Sequence, residues 1–208
     1  LLFAVVWGAN FSYEQLLIKV NTDLAVADDN FRRIRQDYLE SLSNLAGSHL
    51  FYTALESKSD KAIERQLAAH RAGAGFSYLY LLDRSGNRYF APGTHGHHSP
   101  SLLAAIQGAP RVGIEILSAE QLELISPGLA KKVRLSLVDT RRARPTDRLI
   151  EERGMMIRAI HPVRGSRGEI IALLDGGVLL NGNFDFVDAI RDLVYGPGSL
   201  PEGSLGTV

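Results

Sequence analysis

Four side chains stand where their chemistry is conspicuous. Arg158 lies in the middle of Met155–Val163 (MMIRAIHPV), an otherwise apolar run. Asp175 interrupts the apolar run IIALLDGGVLL in the same way. A buried guanidinium needs an anion, because an unpaired buried charge is costly. That anion could be a bidentate ligand carboxylate or a protein carboxylate. Arg158 could equally face solvent from an amphipathic strand. Asp175 could bind a ligand amine, or pair with Arg158 across a hairpin. Tyr78 and Tyr80 are two residues apart in FSYLYLL, so in a strand they share one face. These four are the candidate ligand-binding residues. His161 has the opposite parity to Arg158, so a regular strand cannot turn both to one pocket.

A second group is the histidine loop, His95, His97 and His98. Three imidazoles within four residues are a possible zinc or divalent-metal set, with His161 or Glu115 as a fourth ligand. Nothing in the sequence fixes that fourth ligand nearby, and a polar loop between a strand and a helix is the expectation. No metal and no other cofactor is expected. The chain contains no Gly-x-Ser-x-Gly elbow, no phosphate-binding loop and no His-Glu-x-x-His. An enzyme is therefore not expected in these residues.

Composition narrows the classes further. The 208 residues carry 23 basic and 23 acidic side chains, a formal net charge of zero. The basic run Arg141, Arg142, Arg144, Arg148 is interleaved with Asp139 and Asp147 and reads as a solvated loop. No nucleic-acid partner is expected. The absence of cysteine removes thiolate metal sites, thiol catalysis and disulfides. It suits an extracytoplasmic domain, and many cytoplasmic domains as well.

The elements that must position these residues begin with a helix. Leu17, Val20, Leu24, Ala27, Phe31, Ile34, Tyr38, Leu42 and Leu45 recur every three or four residues and fall on one stripe. The expected helix, from about residue 2 to 55, would be roughly 80 Å long. That outruns a domain of this size, and it suggests a connecting spine. Leu1–Ala9 (LLFAVVWGA) is wholly apolar, with Trp7 and Tyr13 near its end; it reads as the tail of a transmembrane helix, with a buried helix start in a soluble protein as the alternative. The chain starts without Met and reads as cut from something longer. A second helix is expected over Lys61–Arg71, N-capped by Asp60. A hairpin (Phe76–Leu82, turn, Asn87–Ala91) should follow. After it come a short helix capped by Ser99, with Pro100 in its first turn, and a strand over Val112–Leu117. Val133–Val138 is a further candidate strand. A second hairpin should join Met155–Val163 to the strand starting at Glu169, with Gly176-Gly177 marking a bulge or a close approach. Phe184–Tyr195 is an amphipathic helix, with Phe184, Val187, Ile190 and Val194 on one face. The fold class is α+β: a long N-terminal helix, then a PAS-like antiparallel sheet of about five strands with flanking short helices.

From Gly154 onward the chain resembles the double Cache sensor domains of bacterial transmembrane receptors. The residues that carry the likeness are Pro162-Val163, Gly176-Gly177, Leu179-Leu180-Asn181, Val187-Asp188, Ile190, Asp192 and Val194-Tyr195. The earlier GLAKKVRLSLVDTRRARPT is also similar. The resemblance implies the extracytoplasmic, periplasmic sensor of an inner-membrane receptor, chiefly a sensor histidine kinase of a two-component system. The sensor of a chemoreceptor or cyclic-di-nucleotide enzyme, or a module answering to a periplasmic protein, is the alternative. The resemblance also implies a small-molecule ligand in the membrane-distal module. The family's amine signature, Tyr-x-Arg-Trp-Tyr with a later Asp, is not present, so the resemblance implies no amine recognition. The division it implies is 1–10, end of a transmembrane helix; 11–56, spine; 57–180, membrane-distal module; and 181–208, linker helix and start of a membrane-proximal module. The part of the spine nearest the membrane is expected to form a homodimer contact, and Phe31 onward to pack within the chain.

Overall fold

The computed structural model describes residues 2–91, 99–138 and 146–195, without the side chains of 2–12 and 16. His95, His97, His98 and the run Arg141, Arg142, Arg144 lie outside the described residues. The chain divides into two compact units. One spans Arg35–Asn183, and the other joins the chain up to Ile34 with the segment from Phe184.

Within the first unit, the last turns of helix α1 (Leu2–Ala46) face their apolar stripe inward, so that Leu42 and Leu45 are buried. The single helix expected to continue to residue 55 is divided at Gly47 and Ser48. Ser48 adopts an extended conformation and starts α2 (His49–Glu56). Glycine's backbone freedom makes Gly47 a poor helix interior residue. Helix α3 (Asp60–Ala74) follows. Its N-cap is Ser59, not Asp60, which sits in the first turn where a carboxylate favours the positive end of the helix. Gly75 ends α3 at φ 72°, the left-handed geometry that glycine adopts without strain.

The main sheet contains β1 (Tyr78–Leu82), β2 (Arg111–Leu117), β5 (Gly154–Arg164) and β6 (Ile170–Leu179), all antiparallel, in the order β1-β6-β5-β2. A separate two-stranded ribbon pairs β3 (Leu135–Ser136) with β4 (Ile150–Glu151). Of the expected strand Val133–Val138, only Leu135–Ser136 pairs as a strand, because α6 (Leu129–Val133) takes the start of that segment. The expected return strand Asn87–Ala91 is reduced to one bridge between Leu82 and Arg88. The carboxylate of Asp83 builds the turn, accepting hydrogen bonds from the Ser85 and Asn87 backbones and from the Asn87 amide.

Strand periodicity sorts the sheet's two faces. Leu79, Leu81, Ala159, Val163, Ala172, Leu174 and Val178 share a core with Leu42, Leu45, Phe51, Ile63 and Leu67 from α1, α2 and α3. The opposite face carries Tyr78, Met156, Arg158, Ile160, Leu173 and Asp175. Leu102 and Ala105 of α4 (Pro100–Ile106) pack on part of it. Leu117, Leu122 and Ile125 of the β2–α5 segment, with Leu129 and Val133 of α6, pack on another part. Helix α5 (Ala119–Ile125) starts in a reciprocal capping box between Ser118 and Gln121. Asn181 closes the end of the β5–β6 hairpin. Its side chain accepts from the Met155 N–H and donates to the Arg153 carbonyl.

In the second unit, α7 (Phe184–Val194) meets α1 through an edge-on contact of Phe186 with Phe31, ring centroids 5.6 Å apart. The apolar face expected for α7 is only partly used. Ile190 is buried, whereas Phe184 is 76% exposed and Val187 43%.

Candidate functional site

The strand register determines which polar groups of this face meet. Tyr78 lies opposite Gly177, which lies opposite Arg158. Tyr80 lies opposite Asp175, and Asp175 opposite Ile160. Arg158 and Asp175 are thus diagonal neighbours on one face, close enough for long side chains to meet. Glu115 of β2 stands opposite Met156, diagonal to Arg158 from the other side.

These positions converge. Arg158 is fully buried. Its Nε donates to Asp175 Oδ1 at 2.9 Å and its Nη2 to Asp175 Oδ2 at 2.6 Å, a bidentate pair. Its Nη1 donates to Ser99 Oγ and to Glu115 Oε2, each at 3.1 Å. The Tyr78 hydroxyl donates to Asp175 Oδ1 at 3.0 Å. Ser99 serves twice, since its Oγ also accepts the Leu102 N–H and caps α4. The second oxygen of Glu115, Oε1, is buried and accepts no hydrogen bond among the described residues. Along the rim, the Tyr80 ring lies between the Tyr78 ring, at 5.2 Å, and the Arg88 guanidinium, 3.9 Å above its centroid.

Charge in this cluster is held by mutual pairing. Burial opposes a charged Arg158, but the Asp175 carboxylate foremost, with Tyr78 and Glu115, outweighs it and raises its pKa above the ordinary guanidinium value. Burial, followed by the negative charge of Asp175, pushes the Tyr78 phenol well above its usual range. Tyr78 is therefore a fixed donor. One guanidinium faces two carboxylates, which leaves the three charged groups with one negative charge in excess.

Gly177 makes the arrangement possible. A Cβ there would lie 2.3 Å from Tyr78 Cε1 and 2.8 Å from Met156 Sδ, so the tyrosine ring crosses the sheet over a position that only glycine leaves open. The Gly176-Gly177 pair marks a close approach of this kind. The sheet's irregularity falls elsewhere, at Val163/Arg164.

All four candidate residues, Tyr78, Tyr80, Arg158 and Asp175, come together on one face. Arg158 does not face solvent; its anions include protein carboxylates. His161 points to the opposite face, as strand parity requires, with Nδ1 at 2.9 Å from the Pro162 carbonyl. Ser99 and Glu115 were not among the candidate ligand-binding residues. Glu115 carries a legible signal, a carboxylate inside the apolar strand VGIEIL. Ser99 was legible only as a helix cap. Among the described residues no group of three or more His, Asp or Glu is placed to hold a metal ion.

A long helix followed by an antiparallel sheet with short helices on both faces is a PAS-like α+β fold, and this chain has it. Two solved structures with TM-scores of at least 0.50 share this fold. The sensor domain of the Vibrio cholerae histidine kinase DctB is similar at 16% identity and a TM-score of 0.51, over 88% of this chain and 60% of that one. A domain of a putative sensory box/GGDEF family protein from Vibrio parahaemolyticus is similar at 14% identity and a TM-score of 0.50, over 84% and 62%. The E. coli DcuS sensor domain matches at 15% identity and a TM-score of 0.46, over 82% and 98%. The chain thus spans about three-fifths of the DctB and V. parahaemolyticus structures. No family model matches the sequence. No curated protein matches it either. Among the described residues no helix is long and apolar enough to cross a membrane.

Proposed function

We propose that this chain is the extracytoplasmic ligand-sensing part of a bacterial transmembrane receptor. A small molecule would bind over Tyr78, Tyr80, Arg158 and Asp175. The observation that carries this reading is the polar cluster on the sheet face opposite α1, α2 and α3, in a fold shared with sensor domains. A sensor histidine kinase is the output favoured by the likeness to the DctB domain. The likeness to a sensory box/GGDEF protein keeps a cyclic-di-nucleotide output as the second reading. On this reading residues 57–180 form the membrane-distal module, and 181–208 lead into a membrane-proximal one. Residues 1–10 end a transmembrane helix, and the domain is periplasmic.

The charge pattern bears on the ligand. Arg158 is already matched by Asp175 and Glu115, so it does not call for a ligand carboxylate. The open acceptor is Glu115 Oε1, which favours a ligand that donates a hydrogen bond. Binding at this face would act on α1 through the sheet, whose other face packs on Leu42 and Leu45. Any such signal requires different ligand affinities for two packing states. A homodimer through α1 is supported by Leu17, Val20 and Leu24, which are 44%, 45% and 61% exposed on the stripe.

The test is thermal unfolding against amines, amino acids, carboxylates, nucleobases and divalent metals. A ligand at 100 times its Kd should add about 2.7 kcal/mol. The reading expects a stabilising compound whose effect is lost in Tyr80→Ala, a rim change that leaves the buried pair intact. A panel without effect, or an effect indifferent to Tyr80→Ala, overturns the assignment of this face. Single-cysteine cross-linking across residues 12 to 30 tests the dimer, and no cross-linked species at any position would count against it.

A further inference from the structure

The outer edge of β1 borders a second cleft, which shares Tyr80 and Arg88 with the rim of the Arg158 cluster. A cleft of about 280 Å³ lies between this edge and α3, lined by Leu67, Ala68 and Arg71 of the helix, by Leu79–Leu81 of the strand, and by Phe90 among others. Three consecutive strand residues line it. Their side chains alternate between faces, so the strand presents its edge to the cleft, backbone included.

The hydrogen bonds show which backbone groups are presented. Asp83 donates its N–H to the Asn87 carbonyl at 2.8 Å, and Tyr89 donates to the Leu81 carbonyl at 2.9 Å. Leu81 and Asp83 therefore direct their backbone groups outward, away from β6. The period of two gives Leu79 the same direction. Among the described residues Leu82–Arg88 is the one bridge of the returning chain to β1. The N–H and C=O of Leu79 and the N–H of Leu81 are left without a backbone partner on this side among the described residues. Polar backbone groups beside an apolar cleft are a template for an added strand.

The side chains define the rest of the ligand. Leu67, Ala68, Leu79, Leu81 and Phe90 supply apolar surface, and the cleft carries Arg71, Arg88 and one carboxylate, Glu64. Its balance is one positive charge in excess. Arg88 is held against the Tyr80 ring and donates to the Leu124 carbonyl at 3.2 Å. Arg71 forms no ion pair among the described residues.

We infer that this cleft binds a short acylated amino acid with a free carboxylate. Its amide pairs with the Leu79 edge, its apolar side chain lies on Leu67 and Phe90, and its carboxylate faces Arg71. The inference rests on the β1 edge and is independent of ligand binding over Arg158. The site also adjoins the other one, because Arg88 both lines the cleft and caps the Tyr80 ring.

The experiment is a titration of the 208-residue chain, labelled with 15N, with N-acetyl-leucine, followed by amide chemical shifts. Saturable shifts at Leu79 and Leu81 are expected. Arg71→Gln, an exposed helix-surface change, should raise the Kd about tenfold. N-acetyl-leucine amide, which keeps the amide and the side chain but lacks the charge, should bind about tenfold more weakly to the unaltered chain. No saturable shift, or equal binding of the two probes, overturns the inference. So do shifts confined to Glu115 and Arg158, which would place the probe in the other site instead. Indifference to Arg71→Gln would remove the carboxylate assignment and with it the proposed ligand class.

Discussion

Replacing Arg158 with Met tests whether the buried cluster is held by charge pairing. Arg158 has no solvent exposure, and Asp175 is 3% exposed. Without the guanidinium, Asp175 keeps the Tyr78 hydroxyl but loses both of its bonds from Arg158. Removing one partner of a buried ion pair costs 3–5 kcal/mol, because the other charge stays buried. Glu115 moderates the loss, since its side chain is 13% exposed and lies on an edge strand from which it can turn outward. The expected cost is therefore about 4 kcal/mol, or a fall in Tm of about 8 to 16 °C at the 2–4 °C per kcal/mol typical of domains near this size. Urea unfolding followed by circular dichroism measures it. The companion variant Arg158→Met with Asp175→Leu removes both charges and retains apolar volume. It should cost less than about 2 kcal/mol, so the two changes are strongly non-additive. A single-variant loss below about 1 kcal/mol, or a double-variant loss equal to the sum of the two singles, would refute the pairing.

Four further outcomes follow from the structure. Tyr78→Phe removes a donor to an Asp175 oxygen that Arg158 also serves, so the cost should stay near 1 kcal/mol in urea unfolding. Gly177→Ala should cost at least 1–3 kcal/mol, because the added carbon meets the Tyr78 ring at 2.3 Å. Gly73→Ala, in α3 with nothing within 4 Å, should add about 0.5–1 kcal/mol in the same assay. The pH dependence comes from His70 and His161, each half-buried. Burial lowers the pKa of both, opposed by the Ser41 contact to His70 and the Pro162 carbonyl contact to His161. The unfolded chain then binds more protons, so stability should be intact above about pH 6.5 and fall as the pH drops from there toward the lowered folded values. Unfolding midpoints between pH 5 and 8 should show this slope, reduced in His70→Asn and again when His161→Asn is added. An unchanged slope in the double variant would assign the dependence to other groups.

Local patterns made much of the fold legible. The three- and four-residue spacing from Leu17 to Leu45 marked α1, and the parity of Tyr78 with Tyr80, and of Arg158 against His161, gave the face each side chain takes. Ser99 before Pro100 announced a capped helix because the cap is made within three residues. The sequence could not choose between a ligand carboxylate and Asp175 as the anion of Arg158. That choice depends on the β5–β6 register, in which Asp175 falls diagonal to Arg158. Nor could it bring Glu115 and Ser99 to the same guanidinium, since they lie 43 and 59 residues away along the chain. The return strand at Asn87–Ala91 failed for a related reason. Its alternation suits pairing, but among the described residues it makes the single Leu82–Arg88 bridge, and Arg88 settles on Tyr80 and the Leu124 carbonyl. Periodicity determines which way a side chain points, because it follows from backbone geometry alone. Which distant partner it meets is decided by strand register and layer packing, which exist only once the chain has folded.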